Sequence, residues 1–173
     1  MAIYPRWRHY PLWRQPAPWV HEVVEAFASL EAEVSSISTH LTSNQALARV
    51  RRRFSELGFL IEGSGMIPRP VLFGDEGLPA KSFNVDGFRE TDGLALEVES
   101  GGAIYNNRVI LDLIKMCLAV DARGGIVALP LRYETEGKKW TDPYAGAVKL
   151  FDAVFANPDR FRIPLEGFVL IGY

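Results

Sequence analysis

The sequence predicts an α/β domain in which a mixed central β-sheet is flanked by α-helices on both faces. Three observations carry this. Apolar residues recur at helical spacing near the N-terminus, contract into short runs punctuated by Gly and Pro in the middle, and then alternate between helix and strand patterns. The run Gly125 to Leu131 is almost wholly apolar, as expected of a strand covered on both faces. The composition, 48% hydrophobic and 23% charged over 173 residues, is that of one domain with a packed core.

Taken in order, residues 1–20 hold Arg6, Arg8 and Arg14 among Tyr4, Trp7, Tyr10, Trp13 and Trp19, with four prolines and no acid. Proline at that density predicts an extended arm ahead of a domain over residues 21–173. The arm reads either as an aromatic strap over the body or a dimer interface, or as a nucleic-acid contact in which Arg meets phosphate and rings stack on bases. Val20, Val23, Val24, Phe27, Leu30 and Val34 predict a first helix. Leu47, Val50, Phe54 and Leu57 predict a second, capped by Thr42 or Ser43 and closed by Gly58. Its outer face bears Arg49, Arg51, Arg52 and Arg53, either a phosphate-binding face or a solvated one paired with nearby acids.

Strands follow at 58–62, 71–73, 82–88 and 94–99. The Asp92-Gly93 dipeptide predicts an antiparallel hairpin between the last two. Ile104 to Val120 predicts a helix entered through Gly101-Gly102. Pro143 to Phe155 predicts another, capped by Thr141 or Asp142, and Phe168 to Ile171 a closing strand.

Several function classes are excluded or disfavoured at this level. A net charge of −2 makes the whole chain no polycation, although the first 70 residues carry 8 basic against 6 acidic side chains. A single cysteine, Cys117, and three scattered histidines form no zinc-ligand spacing. The chain has no apolar run of membrane-spanning length and no export signal, so a cytoplasmic protein without a membrane partner is expected. Neither a P-loop nor a dinucleotide fingerprint is present, and Gly63-Ser64-Gly65 lacks a nucleophile-elbow setting.

Glu-x-Glu occurs three times, and only context separates the copies. Glu31 and Glu33 diverge on a helix, and Glu134 and Glu136 fall in a polar loop with Lys138 and Lys139. Glu97 and Glu99 share one face of a strand whose other face is Leu94, Leu96 and Val98. Two acids on a covered strand face resist desolvation, and a divalent cation would compensate them. The Asp92-Gly93 turn folds Asp86 back toward Glu97, and these oxygen ligands, with the Val98 carbonyl, suit Mg²⁺ or Mn²⁺.

Val85-Asp86-Gly87, an eleven-residue step, and Leu96-Glu97-Val98-Glu99 followed by a helix resemble the PD-(D/E)XK, or restriction endonuclease-like, nuclease superfamily. The core of that fold is a helix, a three-strand meander, a helix and a strand, and the likeness spans residues 43–132. The usual motif ends in Lys, whereas Glu99 stands there in this chain, as in the Glu-x-Glu branch of the type II restriction endonucleases. The resemblance implies a Mg- or Mn-dependent endonuclease hydrolysing DNA phosphodiesters. Asp86, Glu97 and the Val98 carbonyl would be metal ligands, and Glu99 would orient or deprotonate the attacking water. Members often add a Glu from the helix before the meander, for which Glu25 and Glu56 are the candidates. Tyr105, Arg108, Asp112 and Lys115 recur at steps of three and four on the next helix. Arg108 and Lys115 thus become candidate phosphate ligands beside Arg52 and Arg53, or else partners in an ion-paired helix surface. Double-strand cleavage by so small a chain implies a homodimer. The alternative is a catalytically silent member of the fold serving as a nucleic-acid-binding or protein-assembly module.

Overall fold

The fold is described from a computed structural model for residues 4–63, 65–104, 106–135 and 139–173. In chain order the elements are β1 (Arg6–Tyr10), α1 (Pro18–Ala28), α2 (Glu31–Val34), α3 (Ser43–Glu56), β2 (Leu60–Ile61), β3 (Ile67–Phe73), β4 (Pro79–Val85), β5 (Gly87–Arg89) and β6 (Leu94–Val98). There follow α4 (Arg108–Leu118), β7 (Gly124–Leu129), β8 (Tyr133–Thr135), β9 (Lys139–Thr141), α5 (Pro143–Phe155) and β10 (Gly167–Gly172). Six strands form the central sheet in the order β1-β10-β7-β6-β5-β2. The pairs β6–β7 and β7–β10 are parallel, and the pairs β1–β10, β5–β6 and β2–β5 are antiparallel. The expected mixed sheet is therefore present.

Strand alternation divides the core into two layers. Leu94, Leu96, Val98, Ile126, Ala128, Val169 and Ile171 face Val20, Val23 and Phe27 of α1 and Val50 and Phe54 of α3. On the reverse face Ala95, Val127, Leu129, Phe168 and Leu170 meet Val109, Leu113 and Met116 of α4 and Phe151 and Phe155 of α5. Phe151 stacks on Phe168 at 4.9 Å between ring centroids. Parallel β6 and β7 need a crossover, and α4 supplies it across the Ala95 face. Glu97 and Glu99 lie on that same face.

The sequence expectations differ from the structure at informative places. The extended arm is in part a sheet strand, β1, and helix begins at Pro18 because proline is tolerated in the first turn. Arg6 and Arg8 are bound to α5: Arg6 Nη1 lies 3.1 Å from Asp142, and Arg8 grips Asp152 with two bonds of 2.8 and 3.0 Å. The single helix expected over 20–34 is divided, since Leu30 leaves the helical region at φ −109°, ψ 14°. α3 has the expected cap, with Thr42 and Gln45 forming a reciprocal capping box.

In the strand region, β3 and β4 form a separate two-stranded ribbon, and β2 takes the place beside β5. The run expected to be one strand from Ser82 to Phe88 breaks at Asp86, which stands between β4 and β5. Gly93, at φ +67°, makes the expected turn between β5 and β6. α4 starts later than expected, after a 3₁₀ turn at Gly101–Ala103 and a left-handed Asn107 at φ 54°. Gly101 is obligatory in that turn, because a Cβ there would overlap the Tyr133 ring.

Candidate metal centre

β6 ends in the middle of the sheet, and its last acids emerge beneath the first three turns of α4. The result is a cleft of about 390 Å³ lined by Asp86, Glu97, Val98, Glu99, Arg108, Leu111, Asp112 and Lys115, with Ser43 and Asn44 of α3 at its rim. Glu97, Glu99 and Asp112 are 4%, 9% and 3% exposed. Each presents a carboxylate oxygen, and these oxygens lie within 4.8 Å of one another. Three buried acids this close cannot all be charged without compensation.

Part of that compensation is internal. Lys115 Nζ donates to Glu97 Oε1 at 2.6 Å and lies 2.9 Å from Asp112 Oδ1. Arg108 Nη1 lies 3.6 Å from Glu99 Oε2, too far for a hydrogen bond. Glu99 Oε2 and Asp112 Oδ2 are buried without a hydrogen-bond partner. Asp86 accepts a hydrogen bond of 2.7 Å from the Val98 amide, which ties the bend between β4 and β5 to the strand bearing the glutamates. On the other side Tyr173 donates its hydroxyl hydrogen to the Glu99 carbonyl at 2.9 Å and fixes the strand end.

The carboxyl groups are held far from their ordinary protonation range. Burial, then the charges of Asp112 and Asp86, raise Glu97 well above the usual glutamate value, against the pull of Lys115. Glu99 is pushed up to about 7 by burial and then by Asp112, with Arg108 opposing. Burial brings Asp86 to about 6, although the Val98 amide favours its charged form. Lys115, which burial alone would lower, is carried above its ordinary value by Glu97 and Asp112.

These shifts make stability depend on pH with a defined sign. A carboxyl whose folded pKa exceeds its unfolded one binds more protons in the folded state. Stability is therefore highest below about pH 4 to 5 for these groups and falls as pH rises through about 6 for Asp86 and 7 for Glu99. The melting temperature of metal-free protein is expected to drop by several degrees between pH 5.5 and 8. A cation such as Mn²⁺ held by the cluster would restore more of it at pH 8 than at pH 5.5. Scanning calorimetry with and without EDTA reads both effects, and a melting temperature that climbs steadily over this interval contradicts the electrostatic account.

The sequence candidates on α1 and α3 lie elsewhere. Glu25 and Glu56 are exposed and do not line the cleft, and Glu56 is bound to Arg52 and Arg53 at 3.2 Å each. Arg52 and Arg53 line a separate depression with Leu30, Glu33 and Arg49. Neither candidate acid thus belongs to the cluster: Glu56 lies on the solvent face of α3, and Glu25 at an exposed position of α1. Lys115 is not a free phosphate ligand either, since both its carboxylate partners are within the cluster, whereas Arg108 keeps more than half of its side chain exposed. The sequence pattern sets Asp112 on the helix face that bears Lys115, but does not group it with the strand glutamates. Its signal was the step of three to Lys115 on a helix that must cover β6. Tyr105, Ser64, Glu136 and Lys138 lie outside the described residues. No family model and no curated protein matches this chain.

Proposed function

We propose that this protein is a Mg²⁺- or Mn²⁺-dependent phosphodiesterase acting on DNA as an endonuclease. The observation that carries the reading is the buried convergence of Glu97, Glu99 and Asp112, with Asp86 alongside, in an open cleft. Two of its oxygens are buried without a hydrogen-bond partner. The donor set fits the cation: all the oxygens are hard, and the cleft contains neither thiol nor imidazole. The sheet pattern supports the resemblance to the restriction endonuclease-like fold. Helix α3 is followed by the antiparallel strands β2, β5 and β6, then by α4 and the parallel strand β7.

Glu97 and Asp112 would hold the cation, joined by Asp86 and the Val98 carbonyl, with Glu99 beside them. A bound Mg²⁺ would supply charge stabilisation at the scissile phosphate and acidify water. Glu99, which burial and Asp112 raise to about 7 in the metal-free chain and which a neighbouring cation would draw down, would take a proton from an attacking water. Arg108 stands at the exposed lip, where a guanidinium can meet a nonbridging phosphate oxygen. Lys115, held between Glu97 and Asp112, keeps the acids at short range before a cation arrives. It also brings an ammonium group from α4 to the site whose strand motif has Glu99 in place of lysine. Cleavage of both strands of a duplex would take a homodimer. No helix among the described residues is long and apolar enough to cross a membrane.

The ion pairs of Lys115 favour a second reading, in which the cluster is self-neutralised and the domain binds nucleic acid or protein without hydrolysis. One experiment separates the two. Purified protein is incubated with supercoiled plasmid and Mg²⁺ or Mn²⁺, beside Asp86→Ala, Glu97→Ala and an EDTA control. Nicking that requires metal and disappears in both variants supports the nuclease. Manganese titration calorimetry showing no binding to the wild-type chain overturns it in favour of the silent module.

A further inference from the structure

A second groove adjoins the acidic cleft and has a different chemistry. It encloses about 460 Å³ and shares Ser43 with the cleft, while Ser100, the residue after Glu99, lies in its wall. His40, Arg132, Tyr133 and Glu134 are among its polar and aromatic lining residues. Behind them Trp140 braces two of these side chains at once. The Arg132 guanidinium lies 3.7 Å from the Trp140 ring centre, and the His40 ring stacks on the same indole at 5.9 Å and 27°.

The floor is rigid. Buried Ser36 accepts hydrogen bonds from the Leu131 and Arg132 amides at 2.8 and 3.1 Å and donates to the Tyr173 carbonyl. Tyr173 in turn bonds the Glu99 backbone. The groove is thereby held in fixed register with the acidic strand.

We infer that this groove is a subsite for an unpaired nucleobase of a nucleic-acid strand whose phosphate lies in the acidic cleft. Three features select a base over a free anion or an apolar ligand. The planar cation of Arg132 and the rings of His40 and Tyr133 offer faces on which any base can stack. The hydroxyl of Ser43, which can donate or accept, and that of Thr39, which donates to the Ser35 carbonyl and can still accept, suit a base edge. Glu134 at the rim repels a free phosphate and accepts from an exocyclic amine. The groove volume also falls within the range of small-ligand sites, about 300–1,000 Å³. The inference rests on the phosphodiesterase reading for the chemistry next door, and it narrows the substrate to strands that are single or locally unpaired at the scissile position.

Binding without cleavage tests it separately. Fluorescein-labelled 12-nucleotide single strands, one deoxyribo and one ribo, and a blunt duplex of the same sequence are titrated by anisotropy in Ca²⁺, which fills an oxygen site without supporting cleavage, and again in EDTA. The wild type is expected to bind single strands more tightly than duplex. Arg132→Ala and His40→Ala, both at exposed positions, are expected to weaken single-strand binding about tenfold each and duplex binding less than twofold. Arg132→Lys discriminates further, because it keeps the charge and loses the plane. Stacking predicts that it stays weak, and recovery to wild-type affinity would mean a phosphate contact and overturn the base subsite. Equal losses on duplex and single strand, or no single-strand binding by the wild type, also overturn it. Far-ultraviolet circular dichroism establishes that each variant is folded. No cutting of the labelled single strands in Mg²⁺ or Mn²⁺ and no manganese binding, alongside intact single-strand preference, would sink the phosphodiesterase and leave the base site standing.

Discussion

Asp112→Asn is expected to lower metal-dependent plasmid nicking by about a thousandfold, more than any substitution on the outer face of α3. Asp112 is 3% exposed, and one of its two oxygens lacks a hydrogen-bond partner in a cluster spanning 4.8 Å. Removing its charge takes away one of the carboxylates proposed to hold the cation, and metal stabilisation of a phosphoryl transition state is worth several kcal/mol, at about 1.4 kcal/mol per factor of ten. The substitution keeps shape and volume, so the fold should survive. It also relieves repulsion: asparagine beside Glu99 lowers the Glu99 pKa from about 7 toward the ordinary glutamate range. Any residual activity should therefore lose its acidic limb, with the lower bend of the pH profile moving down. Manganese titration calorimetry and a plasmid assay over pH 5.5–8.5 read the two effects. Wild-type manganese affinity in Asp112→Asn would remove this residue from the centre. Glu99→Gln offers the contrast: it abolishes the proton acceptor, costs about 10²–10⁴ in rate, and leaves more of the metal affinity in place. Glu56→Ala, whose partners are Arg52 and Arg53 outside the cleft, should leave both quantities unchanged.

The contrast between Asp112 and Glu56 shows where the sequence is legible. The two strand glutamates could be read directly, because a period of two sets them opposite Leu94, Leu96 and Val98 whatever the tertiary context. Asp86 could be read through the Asp92-Gly93 turn, which fixes the register of β5 against β6. What could not be read is which helix supplies the further acid. That depends on how α3 and α4 rotate about their own axes, and on a start of α4 delayed by the left-handed Asn107, which local pattern does not reveal. The edge of the sheet was equally hidden. Proline and tryptophan between Met1 and Val20 signal extended chain, but the pairing of Arg6–Tyr10 with Gly172–Phe168 joins residues more than 150 positions apart. The ribbon of β3 and β4 displaced the expected meander for a similar reason. Four short strands offer several pairings, and burial of Phe88 and Leu96 between the layers decides among them.

Lys115→Met should have the largest effect on stability and the most diagnostic rescue. Its ammonium lies 2.6 Å from Glu97 and 2.9 Å from Asp112, and a quarter of its side chain is exposed. Removing one partner of a fully buried ion pair costs about 3–5 kcal/mol, because the other charge is left uncompensated, and partial exposure brings this to about 2–3 kcal/mol. Methionine retains the apolar stem that packs along α4, so the loss is mainly electrostatic. Two conditions should repair it. Lowering the pH favours the protonated form of Glu97 in the folded state, since burial and the charges of Asp112 and Asp86 raise its pKa and the opposing lysine is gone. At pH 8 saturating Mn²⁺ replaces the lost cation and, by binding the folded chain alone, adds stability that grows with its concentration. Urea denaturation at pH 5 and 8, with and without Mn²⁺, gives the four free energies needed. If the variant is equally unstable in all four conditions, Lys115 acts by packing and the acids are not its charge partners. If Mn²⁺ stabilises Lys115→Met more than the wild type, lysine and metal compete for the same carboxylates. The centre is then one in which α4 carries its own provisional cation, to be displaced when the working one binds.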